Sequence, residues 1–389
     1  MLETSAKMSA TLSALPDNAW LEPIWRGLEE RADASFFQSW YWIGTWLDCL
    51  PSDIAPELLR VDREGVVVGL AVIVPRTVYR HRFLRSKGLF LNRTGNPGLD
   101  SLTIEYNGFL SERGAERDVA RVCTDFLLSE YKNWDELFLD GMSKPELFNE
   151  LSLGQAQLHT GKSDHGHYVD LAALRASGQE YVATLGQSTR YNIRRSLREY
   201  EKRGALAIDE AGDLTRASTY LKRLGHLHQC YWEKKGKPGA FANRFFLTFH
   251  EKLVERGFSD GAVQLLRVTA GGAEVGYLYN YVYRGHVYNY QGGFDYSGGR
   301  LHERPGLVCH ALAIEHNMQK GHSIYDFMAG DSAYKRNLST ASETLAWQVV
   351  QRRRLKFRIE DGLRRLRRWL KMSLVNLTQN ENGGQEVFH

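Results

Sequence analysis

The sequence predicts an α/β chain built from two similar halves, each a mixed sheet flanked by helices. Three observations carry that expectation. At 389 residues the chain exceeds one ordinary domain, and its 43% hydrophobic and 25% charged residues are the balance of a globular protein with a core. The segment LLRVDREGVVVG (58–69) lies over LLRVTAGGAEVG (265–276) with identity at seven of twelve positions. After each copy the same order follows of hairpin, strand, helix and strand, as an internal duplication requires.

The elements read in order as follows. Residues 36–50, rich in Trp, have the character of a helix. Residues 57–61 and 66–74 are apolar, β-branched runs around Asp-Arg-Glu-Gly and predict a hairpin. Residues 103–110 are a further strand candidate, 115–131 have helical spacing, and 136–139 form a short strand. The polar, Gly-containing segment 152–167 is where the halves are expected to join, giving domains over 1–160 and 161–350. Helices are expected at 180–203, 214–234 and 242–256. The hairpin returns at 264–268 and 273–283, followed by a strand at 286–291, a helix at 307–319 and a strand at 324–328. Residues 351–389 predict a basic amphipathic helix and a disordered tail. In the helix Leu355, Ile359, Leu363, Leu366, Leu370 and Leu374 recur at three and four, an apolar stripe along a cationic rod. Ten Lys or Arg between Gln351 and Lys371 face only Glu360 and Asp361, so the net charge of +4 is a C-terminal property.

Several chemistries are excluded. Cys49, Cys123, Cys230 and Cys309 are dispersed and form no CxxC pair, the pattern of reduced core thiols. AQLHTGKS (156–163) has Ala156 where a phosphate-binding loop needs its first glycine. His226, His228 and Cys230 cannot converge on a metal from one helix, because residue i+2 points away from i and i+4. His159, His165 and His167 match no metal-ligand spacing. No GxSxG, HExxH or paired-carboxylate signature occurs. The first twenty residues hold no apolar run of signal-peptide length, and no uncharged stretch is long enough to span a bilayer. The expectation is a cytoplasmic protein whose basic C-terminal helix either packs its apolar stripe on the C-terminal domain, with the arginines solvated, or holds the chain peripherally at an anionic inner membrane.

The chemistry concentrates between Tyr277 and Lys335. Tyr277, Tyr279, Tyr281 and Tyr283 share one face of a strand, because strand side chains alternate, and Tyr288 and Tyr290 share a face of the next. Such a stripe suits a core edge, or a groove for a long polar substrate. GGFDYSGGRLHERPG (292–306) leads into a helix start, where freed backbone N–H groups and Arg300 and Arg304 suit an anion. In YDFMAGDSAYKRNL (325–338) a strand ends and a polar turn presents Asp331, Tyr334 and Lys335, with Gly330 permitting a tight reversal. Upstream, Arg190, Arg194 and Arg195 have the spacing to bracket a phosphate or carboxylate from one helix.

This order of strand, Gly-rich turn with Pro-Gly at a helix start, helix and YDFMAGDSAYK resembles the acetyltransferase domain of the GNAT superfamily in its CelD-type branch. STRYNIRRSLREYEKRG (188–204) is similar to the basic helix of that branch, and the likeness covers roughly residues 160–345. The branch is linked to cellulose and exopolysaccharide synthesis and is related to Fem-type aminoacyl transferases. The resemblance implies two tandem GNAT-like domains, the N-terminal one degenerate. It also implies direct transfer of an acyl group from acetyl-CoA or another acyl-CoA, without a metal, to a sugar, glycan or amine acceptor. In that pattern a Tyr after the fifth strand protonates the leaving thiolate, and Tyr334 stands nearest that place. Asp326 or Asp331 would serve as base or anchor, and Tyr290, Gln291, Lys335, Arg190 and Arg194 as substrate contacts. The pyrophosphate signature Q/R-x-x-G-x-G/A is not intact. Arg304-Pro305-Gly306 is its closest substitute, and Arg300 and Gly306 complete the expected cofactor contacts. That departure keeps two alternatives open: aminoacyl transfer from tRNA, and a non-catalytic accessory that binds polysaccharide-synthesis machinery.

Overall fold

The computed structural model describes residues 7–298 and 302–364. The N-terminal half runs β1 (Met8–Ala14), α1 (Asn18–Arg31), α2 (Trp40–Cys49), β2 (Glu57–Arg63), β3 (Val66–Arg80), β4 (Leu84–Leu91), β5 (Leu110–Ser111), α3 (Glu116–Ser129), β6 (Glu136–Met142) and α4 (Glu146–Asn149). The chain continues through β7 (Ala156–Asp170), α5 (Leu171–Ser177), α6 (Tyr181–Thr184), α7 (Gln187–Glu201), β8 (Leu206–Glu210), α8 (Leu214–Lys234) and α9 (Arg244–Gly257). It then runs β9 (Val263–Ala270), β10 (Ala273–Tyr283), β11 (His286–Phe294), α10 (Pro305–Gln319), β12 (Ile324–Ala329), α11 (Ala333–Leu338) and β13 (Ala341–Arg352), and residues 355–364 form α12. One mixed sheet joins both halves in the order β1-β2-β3-β4-β6-β13-β7-β12-β11-β10-β9-β8, with β5 beside β3.

The two sequence copies occupy equivalent places. β2, β3 and β4 form an antiparallel run that continues into β6 in parallel, and β9, β10, β11 and β12 repeat that arrangement. The likeness extends to a shared irregularity. The β2–β3 register slips between Val61 and Asp62, after Val61 pairs with Gly69. The β9–β10 register slips beside Gly276, which pairs with Val268. Each glycine faces the helix crossing its half. A Cβ at Gly69 would stand 2.6 Å from Val119 of α3, and one at Gly276 would stand 2.7 Å from the Phe294 ring, 2.9 Å from the Gly293 carbonyl and 3.1 Å from Cys309 of α10. Close approach of the helix requires the glycine in the first copy, whereas in the second β11 crowds Gly276 even more closely than α10 does.

The expected join at 152–167 is not a linker. Those residues run into β7, in the middle of the sheet, and the boundary at 160/161 falls inside that strand. The polarity belongs to its exposed middle, residues 159–163. β7, leaving the first half, pairs with β12 of the second, while β13, leaving the second, pairs with β6 of the first. The two exchanged strands pair antiparallel with one another from Ala341↔Tyr168 to Arg352↔Ala156. Two other expectations change. The 36–50 helix starts with a 3-10 turn at Phe36–Gln38, and 180–203 is broken between α6 and α7 at Leu185 and Gly186.

The tyrosine stripe is core. Tyr277, Tyr279 and Tyr281 are buried, and Tyr281 stacks on Phe36 of the first half with ring centroids 4.3 Å apart. Trp42 and Phe249 close over the same cluster. Offset and edge-on aromatic pairs of this kind add about 0.5–1.5 kcal/mol each beyond area burial. They fix one half against the other.

At the C-terminus β13 extends to Arg352, so the expected basic helix starts only at residue 355. Leu366, Leu370 and Leu374 lie outside the described residues, as does Arg300. Among the described residues no helix is long and apolar enough to cross a membrane.

Candidate functional site

β11 and β12 pair in parallel only from His286–Tyr288 to Ile324–Asp326. Beyond that point both strands are irregular. In β11, Tyr290 is an extra residue between the pairs Tyr279↔Gln291 and Asn280↔Asn289. In β12, Met328 has a φ of 63°, and pairing with β7 jumps from Asp326↔Tyr168 to Ala329↔Gly166. Bulges bend strands and end pairing, so the edge of β11 past Tyr288 has no strand beside it. The gap opens into a cavity of about 630 Å³. Asn289, Tyr290, Gln291 and Gly292 line one side, Phe327, Met328 and Ala329 the other, and Arg304 and Gly306 at the start of α10 close one end. Tyr334 and Lys335 of α11 reach in from beyond β12. Tyr231 and Trp232 of α8 and Tyr296 add an aromatic rim.

The first half supplies a wall as well. Residues 103–109, expected as a strand, form a loop that carries Thr103 and Glu105 into the cavity. Three anchors hold this loop. Tyr106, with a φ of 52°, donates from its hydroxyl to Asp326 at 2.6 Å. Asn107 donates to the carbonyls of Leu91 and Asp140. Glu105 Oε2 accepts from the Ala329 N–H at 2.6 Å. Gly166 belongs to the same arrangement, since a Cβ there would collide with the Tyr106 hydroxyl.

The electrostatics single out Glu105. Burial pushes its carboxyl up to about 7, against the lowering effects of the Ala329 N–H and the Lys335 charge. Burial lowers the Lys335 ammonium in turn, opposed by the charges of Glu105 and Asp326. Lys335 Nζ donates to the carbonyls of Met328 at 3.2 Å and Ala329 at 2.6 Å, so it clamps the irregular end of β12. His310 of α10 also lines the cavity, and burial, reinforced by Lys335, lowers its imidazole to about 3. Its neutral ring stacks on Tyr334 with centroids 5.8 Å apart. Desolvation by the cavity walls raises the Tyr334 phenol to about 12, although 43% of the residue stays open to solvent, leaving it a proton donor at neutral pH. A carboxyl near 7, an always-protonated phenol and a lysine in one cavity make a general acid–base constellation.

Of the residues expected from sequence, the cavity gathers Tyr290, Gln291, Arg304, Gly306, Tyr334 and Lys335. Tyr334 sits in the first turn of α11 rather than in a free turn, because Ser332 and Ala333 start a helix directly after Gly330. Asp326 and Asp331 do not line the cavity. Asp326 is fully buried, its carboxylate committed to Tyr106, His286 and the Met328 N–H. Asp331 is on the surface, paired with Arg336. Arg190 and Arg194 belong to an open depression on α7. There Arg190 donates to the Ala183 carbonyl and Arg194 pairs with Glu180. Glu105 and His310 escaped the sequence reading.

Asp326 therefore positions its neighbours. Asp326→Ala strands a buried tyrosine hydroxyl and a backbone N–H, and is expected to lower the unfolding free energy by about 3 kcal/mol. Chemical denaturation checks this, and a stability within about 0.5 kcal/mol of wild type, the range of a surface change, would refute it.

Residues 187–336 match the sequence model of the family described as an acetyltransferase (GNAT) domain. The C-terminal half carries a GNAT-type domain. The match spans α7 to α11 and so includes both strands that part around the cavity. The first half repeats the strand order of the matched half, which makes the fold two GNAT-like units in tandem. No curated protein matches the chain. Among solved structures it is similar to FemX, with a TM-score of 0.56 at 10% identity over 87% of this chain and 96% of that one. It is also similar to L-PGS from Bacillus licheniformis, with a TM-score of 0.51 at 12% identity over 88% of this chain and 95% of that one. At such identities the likeness is one of fold.

Proposed function

We propose that the chain transfers an acyl group, acetyl from acetyl-CoA, to a sugar or amine acceptor in cell-envelope or exopolysaccharide synthesis, as the CelD-type resemblance implies. One observation carries the reading: the parted strands β11 and β12 enclose a cavity that holds Glu105, Tyr334 and Lys335 together. The cavity fits a thioester with a long arm. The unpaired edge of β11 offers backbone groups to an extended chain, as strand edges do. Arg304 and the Gly306 N–H at the start of α10 suit a phosphate. A bound acyl-CoA supplies the activated carbonyl. Glu105 takes the proton of the attacking hydroxyl or amine as the new bond to the carbonyl carbon forms. Tyr334 gives its proton to the departing sulfur as the carbon–sulfur bond breaks, and solvent then takes the proton from Glu105 and returns one to Tyr334. Positioning of both partners in one cavity contributes most of the remaining rate.

One observation favours a second reading, Fem-type aminoacyl transfer from tRNA. The anion cradle is thin, because Pro305 has no N–H and the Leu307 N–H is already bonded to the Arg304 carbonyl. Titration calorimetry separates the readings. The first expects saturable binding of CoA, weakened about tenfold by Arg304→Ala through loss of a charge-assisted contact. Binding of aminoacyl-tRNA without CoA would replace it with the second. Binding of neither would leave a non-catalytic accessory.

A further inference from the structure

We infer that α12 and the tip of the β3–β4 hairpin together form a docking surface for an anionic lipid bilayer. The usual amphipathic arrangement is reversed here. α12 turns its charged Glu360 and aromatic Phe357 inward, at 7% and 3% exposure, and leaves Leu355, Ile359 and Leu363 at 70%, 55% and 56%. Those three are spaced by four, which makes one stripe on the outer face.

The inward face is bolted to the hairpin. Arg80 donates to Glu360 at 3.0 Å, His81 lies 3.0 Å from the same carboxylate, and Lys356 donates to the Arg85 carbonyl at 2.8 Å. The hairpin tip in turn presents Phe83, 74% exposed. Phe83 is two residues from His81, whose partner Glu360 neighbours Ile359 and stands one turn from Leu363. Four large apolar side chains, three on α12 and one on the hairpin tip bolted to it, thus stand in water. Burying such residues against lipid releases about 25 cal/mol per Å² of apolar area.

The charge selects the occupant. Residues 76–87 contain Arg76, Arg80, Arg82, Arg85 and Lys87 and no Asp or Glu. Arg82, next to Phe83, and Arg358, next to Ile359, are exposed. A nucleic acid would use the cations and leave the leucine stripe and Phe83 in water. A bilayer with anionic headgroups satisfies both at once, with the Phe83 ring at headgroup depth and arginines at the phosphates.

The test is co-sedimentation of the full chain with vesicles of phosphatidylglycerol and phosphatidylcholine. Wild type is expected to pellet with phosphatidylglycerol vesicles in low salt, and poorly with phosphatidylcholine alone. The exposed substitutions Phe83→Ser, Leu355→Ser and Ile359→Ser, combined, are expected to weaken binding by about tenfold or more without changing Tm. Arg82→Glu with Arg358→Glu is expected to remove the dependence on anionic lipid. Failure of wild type to pellet overturns the inference. So does a triple variant that binds like wild type, which would mark a plain electrostatic patch, or tRNA displacing the protein from vesicles with the apolar side chains irrelevant. A concentration-dependent dimer that the triple variant disperses would assign the face to a second copy instead.

Discussion

Glu105→Gln is expected to lower kcat by about 10²- to 10⁴-fold, the range for removal of a general base, while the protein stays folded. The amide keeps the shape of the carboxyl and retains an oxygen for the Ala329 N–H, so β12 keeps its anchor. The pH profile gives a second readout. With Glu105 raised to about 7, wild-type kcat/KM should climb with pH until that value and then level off. The Gln variant should lack that limb. Stability moves the opposite way. The folded carboxyl holds its proton where the unfolded one, near 4.5, has lost it. Between those values the native state binds more protons, so this group's contribution falls as pH rises and is constant above about 7. Thermal melts at pH 5 and pH 8 should therefore show the Gln variant gaining on wild type at the higher pH. A variant with wild-type turnover would leave Glu105 only the structural task of holding β12 to the loop.

The contrast between Glu105 and the duplicated hairpin shows what the sequence can carry. The hairpins at 57–74 and 264–283 were legible because their signals are local: β-branched runs, a turn, and a repeated Val-Gly at the slip in register. After the second copy the order of strand, helix and strand was legible for the same reason, but after the first the expected strand at 103–110 is a loop as far as residue 109 and the third strand is β4 at Leu84–Leu91. β7 was not legible either. Its exposed middle reads as loop, and only its pairing with β13, nearly two hundred positions away, makes it a strand. Glu105 is a lone acid in TIEYNGF, with no second carboxylate or His at any meaningful spacing. What gives it a shifted pKa is burial against Ala329 and Lys335, over two hundred residues on. His310 likewise occupies an ordinary helical position in α10, and only the parting of β11 from β12 exposes it to the cavity. Asp326 misled in the other direction. An acid within an apolar strand suggests chemistry, but here it serves as the buried acceptor that ties Tyr106 and His286 to the sheet.

Tyr334, the proton donor expected from the sequence, lines the cavity, and Tyr334→Phe is expected to reduce kcat by about 10²-fold or more with KM little changed. The ring is held by contacts that the substitution keeps, stacking on His310 and an edge-on contact with Phe327 at 6.3 Å. Only the hydroxyl is lost, so Tm should stay within about 1–2 °C of wild type, as a surface change within ±0.5 kcal/mol implies. A phenol raised to about 12 remains protonated throughout the assay range, so the wild-type profile should show no descending limb from Tyr334 below pH 10. The split between parameters matters. A packing role would disturb KM and Tm together, whereas a proton given only to the departing group is felt in the transition state alone. The leaving group offers the sharper check. An acyl donor whose leaving group is already a weak base needs no proton, so the Phe variant should recover most of its rate with an activated aryl thioester. Equal losses with both donors would show that the hydroxyl binds substrate rather than protonating sulfur, and an undiminished rate with the natural donor would remove Tyr334 from the reaction.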